Sequence, residues 1–264
     1  MLIMGERKCT IMNIFDLSKQ VAIIVGGDQG IGFGIARGLA GAGASVVIAD
    51  FKSREEQKGA ETLKKEGFNA VAIPTDITNK SSVEALVSEV MKNFGKIDIL
   101  VNSAGAIVRK PAEDTLEEDW DYVMNTNLKG VWFCCMSAGR EMIKRKKGKI
   151  INISSMLSEV SMPRRSVYCV SKAAVSHLTQ SLGLEWIKYN INVNAIAPGP
   201  TETTFIHKYF QEHPEDIKAF IDPIPRGRPG NPSDYAGVAV FLASDASDFV
   251  VGQTFFVDGG YNIQ

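Results

Sequence analysis

The chain has 264 residues, of which 45% are hydrophobic and 22% charged, and its formal net charge is −1 at pH 7. This composition is that of a folded protein with one large α/β domain, and the charge balance gives no electrostatic reason to expect nucleic acid as a partner. No apolar run reaches the length of a membrane span, and the four cysteines show neither metal-ligand spacing nor a disulfide framework, so we expect a cytoplasmic protein with free thiols and no bound metal.

Apolar strands alternate with helices along the chain. The predicted strands are Gln20–Val25, Ala44–Ala49, Asn69–Pro74, Ile97–Val101, Gly148–Ile153, Ile191–Ile196 and Gln253–Val257. The main predicted helices are Phe33–Ala42, Arg54–Glu66, Asn79–Phe94, Glu113–Tyr122, Val123–Lys147, Tyr168–Tyr189 and Pro232–Ser244. This alternation predicts a parallel sheet covered on both faces. We expect one domain over residues 14–264, a loosely ordered extension at residues 1–13, and a substrate-loop insertion at about residues 200–230.

A glycine-rich turn follows the first predicted strand and precedes the first predicted helix. It reads Gly26-Gly27-Asp28-Gln29-Gly30-Ile31-Gly32. Glycines permit a tight turn and a close approach of the backbone, and a helix N-terminus attracts a pyrophosphate. Strand, glycine turn and helix in this order predict a dinucleotide site, although a plain βα turn can have the same pattern.

The second predicted strand ends in Asp50, and this residue bears on the choice of cofactor. An acidic side chain there suits the two ribose hydroxyls of NAD and repels the 2′-phosphate of NADP. Phe51 and Gln29 stand at positions where a basic NADP-binding residue is expected, whereas Lys52 and Arg54 are close enough in sequence to leave NADP as an alternative. The sequence favours NAD.

Polar and small residues follow the next two predicted strands. Asp76 stands in a turn where it could contact adenine or cap the next helix. The run Asn102-Ser103-Ala104-Gly105 would let a cofactor lie flat against the backbone at the carboxyl edge of the sheet. Asn127 lies inside a predicted helix, where asparagine is mildly unfavourable. We therefore expect Asn127 to have a role other than helix formation.

Tyr168 and Lys172 lie four residues apart at the start of a predicted helix and therefore on one face of it. A phenol with an ordinary pKa of about 10 is a poor base at neutral pH, but a neighbouring cation lowers that pKa, so the pair predicts proton transfer to or from an alcohol or carbonyl. Ser155, 13 residues before Tyr168, could hydrogen-bond the same oxygen. Ser154 competes for this role, and only the spacing to Tyr168 favours Ser155. By itself the tyrosine–lysine pattern is common on solvated helix faces.

In combination these residues resemble the short-chain dehydrogenase/reductase family over about residues 14–262. The resemblance implies a single-domain Rossmann fold, with a seven-stranded parallel sheet and helices on both faces, and a homotetramer. The motifs that carry it are Gly26-x3-Gly30-Ile31-Gly32, Asn102-x-Ala104-Gly105, Asn127, Ser155, Tyr168-x3-Lys172, Pro198-Gly199 and Asp258-Gly259-Gly260.

The resemblance also implies roles for the catalytic residues. Tyr168 would be the general acid/base, and Lys172 would lower its pKa and hold the nicotinamide ribose. Ser155 would polarise the substrate oxygen, and Asn127 would hold a water in a proton relay. The chain departs from the family pattern at Val25, where a threonine is usual, and at Ser103, where a second asparagine is usual.

Cofactor contacts are implied at many positions besides Tyr168 and Lys172. Asp50 would bind the adenosine ribose, Asp76 and Ile77 would flank adenine, and Thr203 would fix the carboxamide. The full implied set is Gly26, Asp28, Gln29, Gly30, Ile31, Gly32, Asp50, Phe51, Asp76, Ile77, Asn102, Ala104, Gly105, Pro198, Gly199, Thr201 and Thr203.

Four stretches resemble sugar-acid and polyol members of the family, of the gluconate 5-dehydrogenase and 2-deoxy-gluconate 3-dehydrogenase type. They are Ile14–Leu17, Arg109–Glu113, Ile151–Pro163 and Ile191–Gly199.

Three arginines could capture the carboxylate of such a substrate, because a guanidinium binds carboxylates in bidentate fashion. They are Arg109, Arg164 and Arg165, although Arg164 and Arg165 could instead face a neighbouring subunit or water. Glu159 and Ser158 could bind substrate hydroxyls.

The leading hypothesis is an NAD-dependent oxidation of a secondary alcohol on a sugar, sugar acid or polyol. An alternative is a 3-oxoacyl thioester reductase, against which Asp50 argues because such enzymes usually take NADPH. A second alternative is a catalytically idle cofactor-binding regulator, against which the intact Ser155, Tyr168 and Lys172 argue. For the tetramer we expect the helices at residues 127–147 and 168–189 to pair with symmetry mates and Tyr261–Gln264 to cross a second interface.

Overall fold

Seven parallel strands form one sheet, in the order β3-β2-β1-β4-β5-β6-β7. This computed structural model describes residues 14–51, 58–202, 211 and 216–264. The strands are β1 (Val21–Val25), β2 (Ser45–Asp50), β3 (Ala70–Pro74), β4 (Ile99–Asn102), β5 (Gly148–Ile153), β6 (Ile191–Pro198) and β7 (Thr254–Val257). Each lies within two residues of its predicted bounds, and the predicted fold class is confirmed.

Two layers of helices cover the sheet. The helices are α1 (Gly30–Gly41), α2 (Lys58–Lys65), α3 (Lys80–Phe94), α4 (Glu117–Met124), α5 (Val131–Arg145), α6 (Ser166–Trp186), α7 (Asp216–Ile221) and α8 (Ala236–Ala243). One core lies between the sheet and α3, α5 and α6, and the other between the sheet and α1, α2 and α8. Strands buried on both faces explain the near-continuous apolar runs in the sequence, since neither side meets water. Cys134 and Cys135 are buried free thiols in the first core, as predicted.

The long helix predicted over Val123–Lys147 is interrupted. Between α4 and α5 the backbone forms a π-helical segment at Asn125–Gly130, which contains Asn127. A π-helical turn contains one more residue than an α-helical turn, and a single extra residue changes the 3.6-residue periodicity of the sequence too little to be predicted from it. The helix predicted over Glu113–Tyr122 is likewise divided, because a short 3₁₀ turn at Ala112–Asp114 precedes α4.

The predicted substrate-loop insertion is partly visible. Thr201 pairs with Gly230 in an isolated parallel bridge, which brings the two ends of the segment together. Part of the segment, including Thr203, lies outside the described residues, as do residues 1–13, Lys52 and Arg54. Within the part of the chain that is described, no helix combines the length and apolarity needed to cross a membrane.

Candidate active site

A cleft of about 1290 Å³ runs along the carboxyl edge of the sheet, past the ends of β1, β2, β4, β5 and β6. Ligands of doubly wound sheets bind at this edge, where strand order reverses. Most of the predicted cofactor residues line the cleft, namely Gly26, Gln29, Gly30, Ile31, Gly32, Asp50, Phe51, Asp76, Ile77, Ala104, Gly105, Tyr168, Lys172, Pro198, Gly199 and Thr201.

The glycine turn has no room for side chains. Gly26 has φ +71° and Gly30 φ +58°, in the left-handed region that favours glycine. A Cβ on Gly32 would lie 2.1 Å from the Gly26 carbonyl oxygen, and one on Gly26 would lie 2.6 Å from the Ala104 nitrogen. The N-cap residue of α1, Gln29, makes no side-chain cap to the first helical turn. The turn therefore suits the close approach of a pyrophosphate to the backbone N–H groups of α1.

Acidic residues mark the end of the cleft that is expected to hold the adenosine. Asp50 Oδ1 accepts a hydrogen bond from the Phe51 N–H at 2.9 Å, and the Phe51 ring is largely exposed. Asp76 Oδ1 accepts from the Thr78 N–H at 2.9 Å and from the Thr78 hydroxyl at 2.7 Å. The capping alternative for Asp76 is wrong, because Asn79 caps α3 by accepting from the N–H groups of its first turn.

Two of the implied cofactor residues lie behind the cleft rather than in its lining. The Asp28 carboxylate accepts from the Gly59 N–H at 2.7 Å and so ties the glycine turn to α2. Buried Asn102 donates from Nδ2 to Asn152 Oδ1 at 2.8 Å and to the Cys135 sulfur at 3.3 Å. Both side chains therefore support the backbone on which a cofactor would lie.

Ser155, Tyr168 and Lys172 come together at the centre of the cleft. Ser155 and Tyr168 line the cleft together, and Ser155 acts to lower the pKa of the Tyr168 phenol. Lys172 Nζ lies 5.7 Å from the centroid of the Tyr168 ring and donates to the Ile153 carbonyl at 2.8 Å. Ser154 points elsewhere, because its hydroxyl donates to the Lys172 carbonyl at 3.0 Å and pairs with Ser176 Oγ at 2.8 Å. The spacing argument that favoured Ser155 thus agrees with the geometry.

The pKa of the Tyr168 phenol is raised in this structure, whereas the sequence predicted a lowered pKa. Burial raises the pKa of its phenol, and the effects of Ser155 and of the charges of Arg109 and Arg165 lower it only in part. Burial also lowers the pKa of the Lys172 ammonium, to about 8. The Lys172 ammonium donates to the Ile153 carbonyl in this structure, and its lowering of the tyrosine pKa stays a prediction. At neutral pH the phenol holds its proton and can donate it.

Asn127 links the loop after β4 to α6, the helix that carries Tyr168 and Lys172. Its Oδ1 accepts from the Ala106 N–H at 2.6 Å, and its Nδ2 donates to the Ala106 carbonyl and to Ser171 Oγ, each at 2.9 Å. Ser171 in turn donates to the Tyr168 carbonyl at 2.7 Å. The π-helical segment thus turns a fully buried amide toward the loop after β4 and toward α6. Its role in holding a relay water stays a prediction.

The structure separates the residues that were expected to bind substrate. Arg109 and Arg165 line the cleft near Tyr168. Arg164 is exposed, has φ +64° and does not line the cleft. Glu159 lines a separate groove beside β7, together with Ser158. The geometry therefore does not bring Arg164, Glu159 or Ser158 to the expected site.

Sequence reasoning missed several residues of the cleft, which are Ile107, Thr78, Tyr122, Asn125, Thr126, Met162, Phe220, Pro223 and Tyr261. Most stand in loops or on helix faces with no local pattern that indicates a site. Tyr261, which was expected to cross an interface between subunits, also lines the cleft of its own chain, and the interface stays a prediction. Its position directly after Asp258-Gly259-Gly260 was the available signal.

The fold and the cleft together define a dinucleotide-dependent oxidoreductase. The chain belongs to the short-chain dehydrogenase/reductase family, since the family model described as "Enoyl-(Acyl carrier protein) reductase" matches residues 25–262. A 2-dehydro-3-deoxy-D-gluconate 5-dehydrogenase of Dickeya dadantii is 44% identical over 252 residues, 95% of this chain and 98% of the relative. An NAD-dependent glycerol dehydrogenase of Listeria innocua is 40% identical over 251 residues, 95% and 96% of the two chains. The crystal structure of a gluconate 5-dehydrogenase from Burkholderia cenocepacia, in complex with NADP and tartrate, has a TM-score of 0.91 at 38% identity and covers 96% of this chain and 99% of that one.

Proposed function

We propose that the protein transfers a hydride between NAD(H) and the secondary alcohol or ketone of a sugar, sugar acid or polyol, with Tyr168 as general acid/base. The observation that carries the proposal is that Ser155, Tyr168 and Lys172 line the same cleft, with Lys172 Nζ 5.7 Å from the centroid of the Tyr168 ring. The names of the Dickeya and Listeria relatives, a sugar-acid and a polyol dehydrogenase, support the substrate class.

A nicotinamide bound in the cleft supplies the hydride chemistry. The protein holds the substrate oxygen between the Ser155 hydroxyl and the Tyr168 phenol. In reduction the phenol gives its proton to that oxygen, and in oxidation the phenolate takes the proton from the alcohol. Because burial raises the pKa of Tyr168, the protonated form prevails at neutral pH and favours reduction, while oxidation becomes faster as the pH rises.

Substitution of the phenol tests this mechanism. Tyr168→Phe keeps the ring and removes the transferable proton, so turnover should fall about 10²–10⁴-fold while cofactor affinity stays nearly unchanged. Tyr189→Phe, in the 3₁₀ turn Ile187–Tyr189 that follows α6 and outside the lining of the cleft, is the matched control and should behave like the wild type. Steady-state rates and a fluorescence titration with NADH provide the two readouts. Full activity in the Tyr168→Phe protein would refute the mechanism.

Preference for NAD over NADP is supported by the charges along the cleft. Asp50 lies where the adenosine ribose is expected. The described basic residues of the lining are Arg109, Arg165 and Lys172, and the charges of the two arginines act on Tyr168, at the catalytic end of the cleft. The Burkholderia structure contains NADP, so the preference needs a direct test. Initial rates should favour NAD, and Asp50→Gly should shift the ratio of kcat/KM toward NADP about tenfold or more. A wild-type preference for NADP would refute the argument from Asp50.

A carboxylate on the substrate is supported by the two arginines of the lining. Burial lowers the pKa of the Arg165 guanidinium, and the positive charge of Arg109 lowers it further, so the two cations influence each other. An anion between them would relieve this repulsion. The tartrate in the Burkholderia structure is a small hydroxy acid, which agrees with this class. Higher kcat/KM for an aldonate than for its neutral analogue is expected, and turnover of neutral sugars alone would contradict carboxylate binding by these arginines.

A 3-oxoacyl thioester reductase is the second candidate. The apolar side chains of Met156, Leu157 and Met162 in the lining favour it, because they could contact an acyl chain; the family-model description shares its acyl-carrier substrate but refers to reduction of a carbon–carbon double bond. An NADP preference combined with reduction of acetoacetyl thioesters would make it the leading function.

We further propose a cytoplasmic homotetramer. Trp132 on α5 and Val170 and Leu184 on α6 are exposed apolar side chains on the two helices that were expected to pair with symmetry mates. Buried thiols such as Cys134 are compatible with a reducing compartment. Light scattering of the purified protein tests the assembly, and a monomer at micromolar concentration would contradict it.

A further inference from the structure

The seven residues from Asp258 to Gln264, here called the Tyr261 turn, contribute Tyr261 to the lining of the cleft. The Asp258 carboxylate accepts from the N–H groups of Gly260 at 2.9 Å and of Asn262 at 3.0 Å. Gly260 has φ +90°, a conformation that side chains other than glycine rarely adopt. The turn is therefore fixed by its own backbone and by one carboxylate.

Three hydrogen bonds attach this turn to both sides of the cleft. Asn262 Nδ2 donates to the carbonyl of Met156, the residue after catalytic Ser155, at 3.3 Å. On the opposite side, the Arg226 N–H donates to the Gly259 carbonyl at 3.0 Å, and Gln264 Nε2 donates to the Pro223 carbonyl at 2.7 Å. A Cβ on Gly259 would lie 2.9 Å from Ile224 Cγ2, so the packing leaves little freedom. The turn thus bridges the Ser155 loop and the segment after α7.

Tyr261, in this turn, lines the cleft. Arg165 and apolar residues such as Met162 and Phe220 belong to the same lining. Tyr261 and Arg165 line the same cleft, and Tyr261 acts to raise the pKa of the guanidinium, against the lowering by burial and by Arg109. A phenol hydroxyl and a guanidinium that line one cleft offer two donors to one anion.

We propose that Tyr261 is a specificity-determining residue, whose hydroxyl donates to the same substrate carboxylate that Arg165 binds. This inference rests on the proposed function and narrows it to acids over neutral polyols. The carboxylate oxygens accept from the Tyr261 hydroxyl and from Arg165, while the reacting alcohol lies at Ser155 and Tyr168. Asn262 is a positioning residue in this arrangement, because its bond to Met156 sets the distance between the two ends of the substrate site.

The test compares an aldonate with its matched neutral polyol, with cofactor at saturation, in the wild type and in three variants. Tyr261→Phe removes only the hydroxyl, and the ratio of kcat/KM for the acid to that for the polyol should fall about tenfold or more, since a hydrogen bond to a charged group is lost. The change should appear in KM for the acid and not in KM for the cofactor. Asn262→Asp, nearly isosteric, should lower the same ratio by a smaller factor because the turn loses a donor to Met156. Tyr189→Phe is the matched control and should leave the ratio unchanged.

The outcomes separate this inference from the proposed function. A selective fall of the ratio in Tyr261→Phe, at an unchanged melting temperature, would support it. An unchanged ratio, an equal loss for acid and polyol, or a wild type that oxidises only polyols would overturn the role of Tyr261 and leave the oxidoreductase assignment intact. A wild type that oxidises neither class would refute the proposed function, and this inference with it.

Discussion

Ser154 and Ser155 are adjacent in the chain, yet the structure gives them different roles. The Ser154 hydroxyl is buried and bonded within the protein, to the Lys172 carbonyl and Ser176, whereas Ser155 acts to lower the pKa of the Tyr168 phenol in the cleft. We therefore expect Ser154→Ala to reduce mainly stability and Ser155→Ala to reduce mainly rate.

The size of each effect follows from the bonds that are lost. Ser154→Ala removes two hydrogen bonds in a residue that is 2% exposed, which should cost about 1–3 kcal/mol of unfolding free energy. For a domain of this size, each kcal/mol lowers the melting temperature by roughly 2–4 °C. Ser155→Ala removes a donor to the substrate oxygen, and loss of one such donor typically costs about 10²–10³-fold in kcat. Its structural loss is confined to the bond that it accepts from the Leu157 N–H at 3.1 Å.

Thermal unfolding and steady-state kinetics on the two variants provide the comparison. Ser154→Ala should show a lower melting temperature and a kcat within about threefold of the wild type, which is far less than the loss for Ser155→Ala. If Ser154→Ala lost as much rate as Ser155→Ala, or more, the assignment of the substrate-polarising hydroxyl to Ser155 would be refuted.

Two further predictions follow from the glycine turn and from Lys172. Gly32→Ala would place a Cβ 2.1 Å from the Gly26 carbonyl oxygen, so NADH affinity in a fluorescence titration should fall at least about tenfold. Gly41→Ala is the control, because it lies on the same helix and its added Cβ would have no atom within 4 Å. Equal NADH affinities of the two variants would contradict the close fit of the turn. Burial lowers the pKa of Lys172 from 10.5 to about 8, so the penalty for the buried ammonium applies in full below about pH 8 and is relieved as the pH rises toward 10.5. Urea unfolding of the cofactor-free protein should therefore show stability rising between pH 8 and 9.5, by at most about 1.4 kcal/mol per pH unit, relative to Lys172→Met. A parallel pH dependence in the two proteins would mean that Lys172 keeps its ordinary pKa.

The strands and the centre of the cleft were predictable because their signals are local. Runs such as Val21–Val25 are apolar at every position, and Tyr168 and Lys172 are fixed relative to each other by the helix between them. Gly26 and Gly32 were also predictable, because other backbone atoms lie so close to both positions that no side chain fits there.

The directions of side chains in loops were not predictable. Arg164 and Arg165 are neighbours, but the left-handed backbone at Arg164 turns only Arg165 toward the cleft. Glu159 follows the 3₁₀ turn after Ser155, and nothing in its spacing indicates that it lines the groove beside β7. The raised pKa of Tyr168 depends on burial by distant segments, which no local pattern records.

The buried contact between Asn102 and Asn152 has a consequence for how the strands align. Every position of β4 and β5 is buried, so hydrophobicity alone would tolerate a slip of one strand along the other. In the native register Asn102 stands opposite Asn152, whose Nδ2 also donates to Thr179 on α6 at 2.9 Å. A slip of one residue would separate the two amides at a cost of about 1–3 kcal/mol for each buried group left without a partner. This pair therefore fixes the register of β4 and β5 in an apolar sheet. Because the register sets where the two strands end, it also determines which loops reach the cleft.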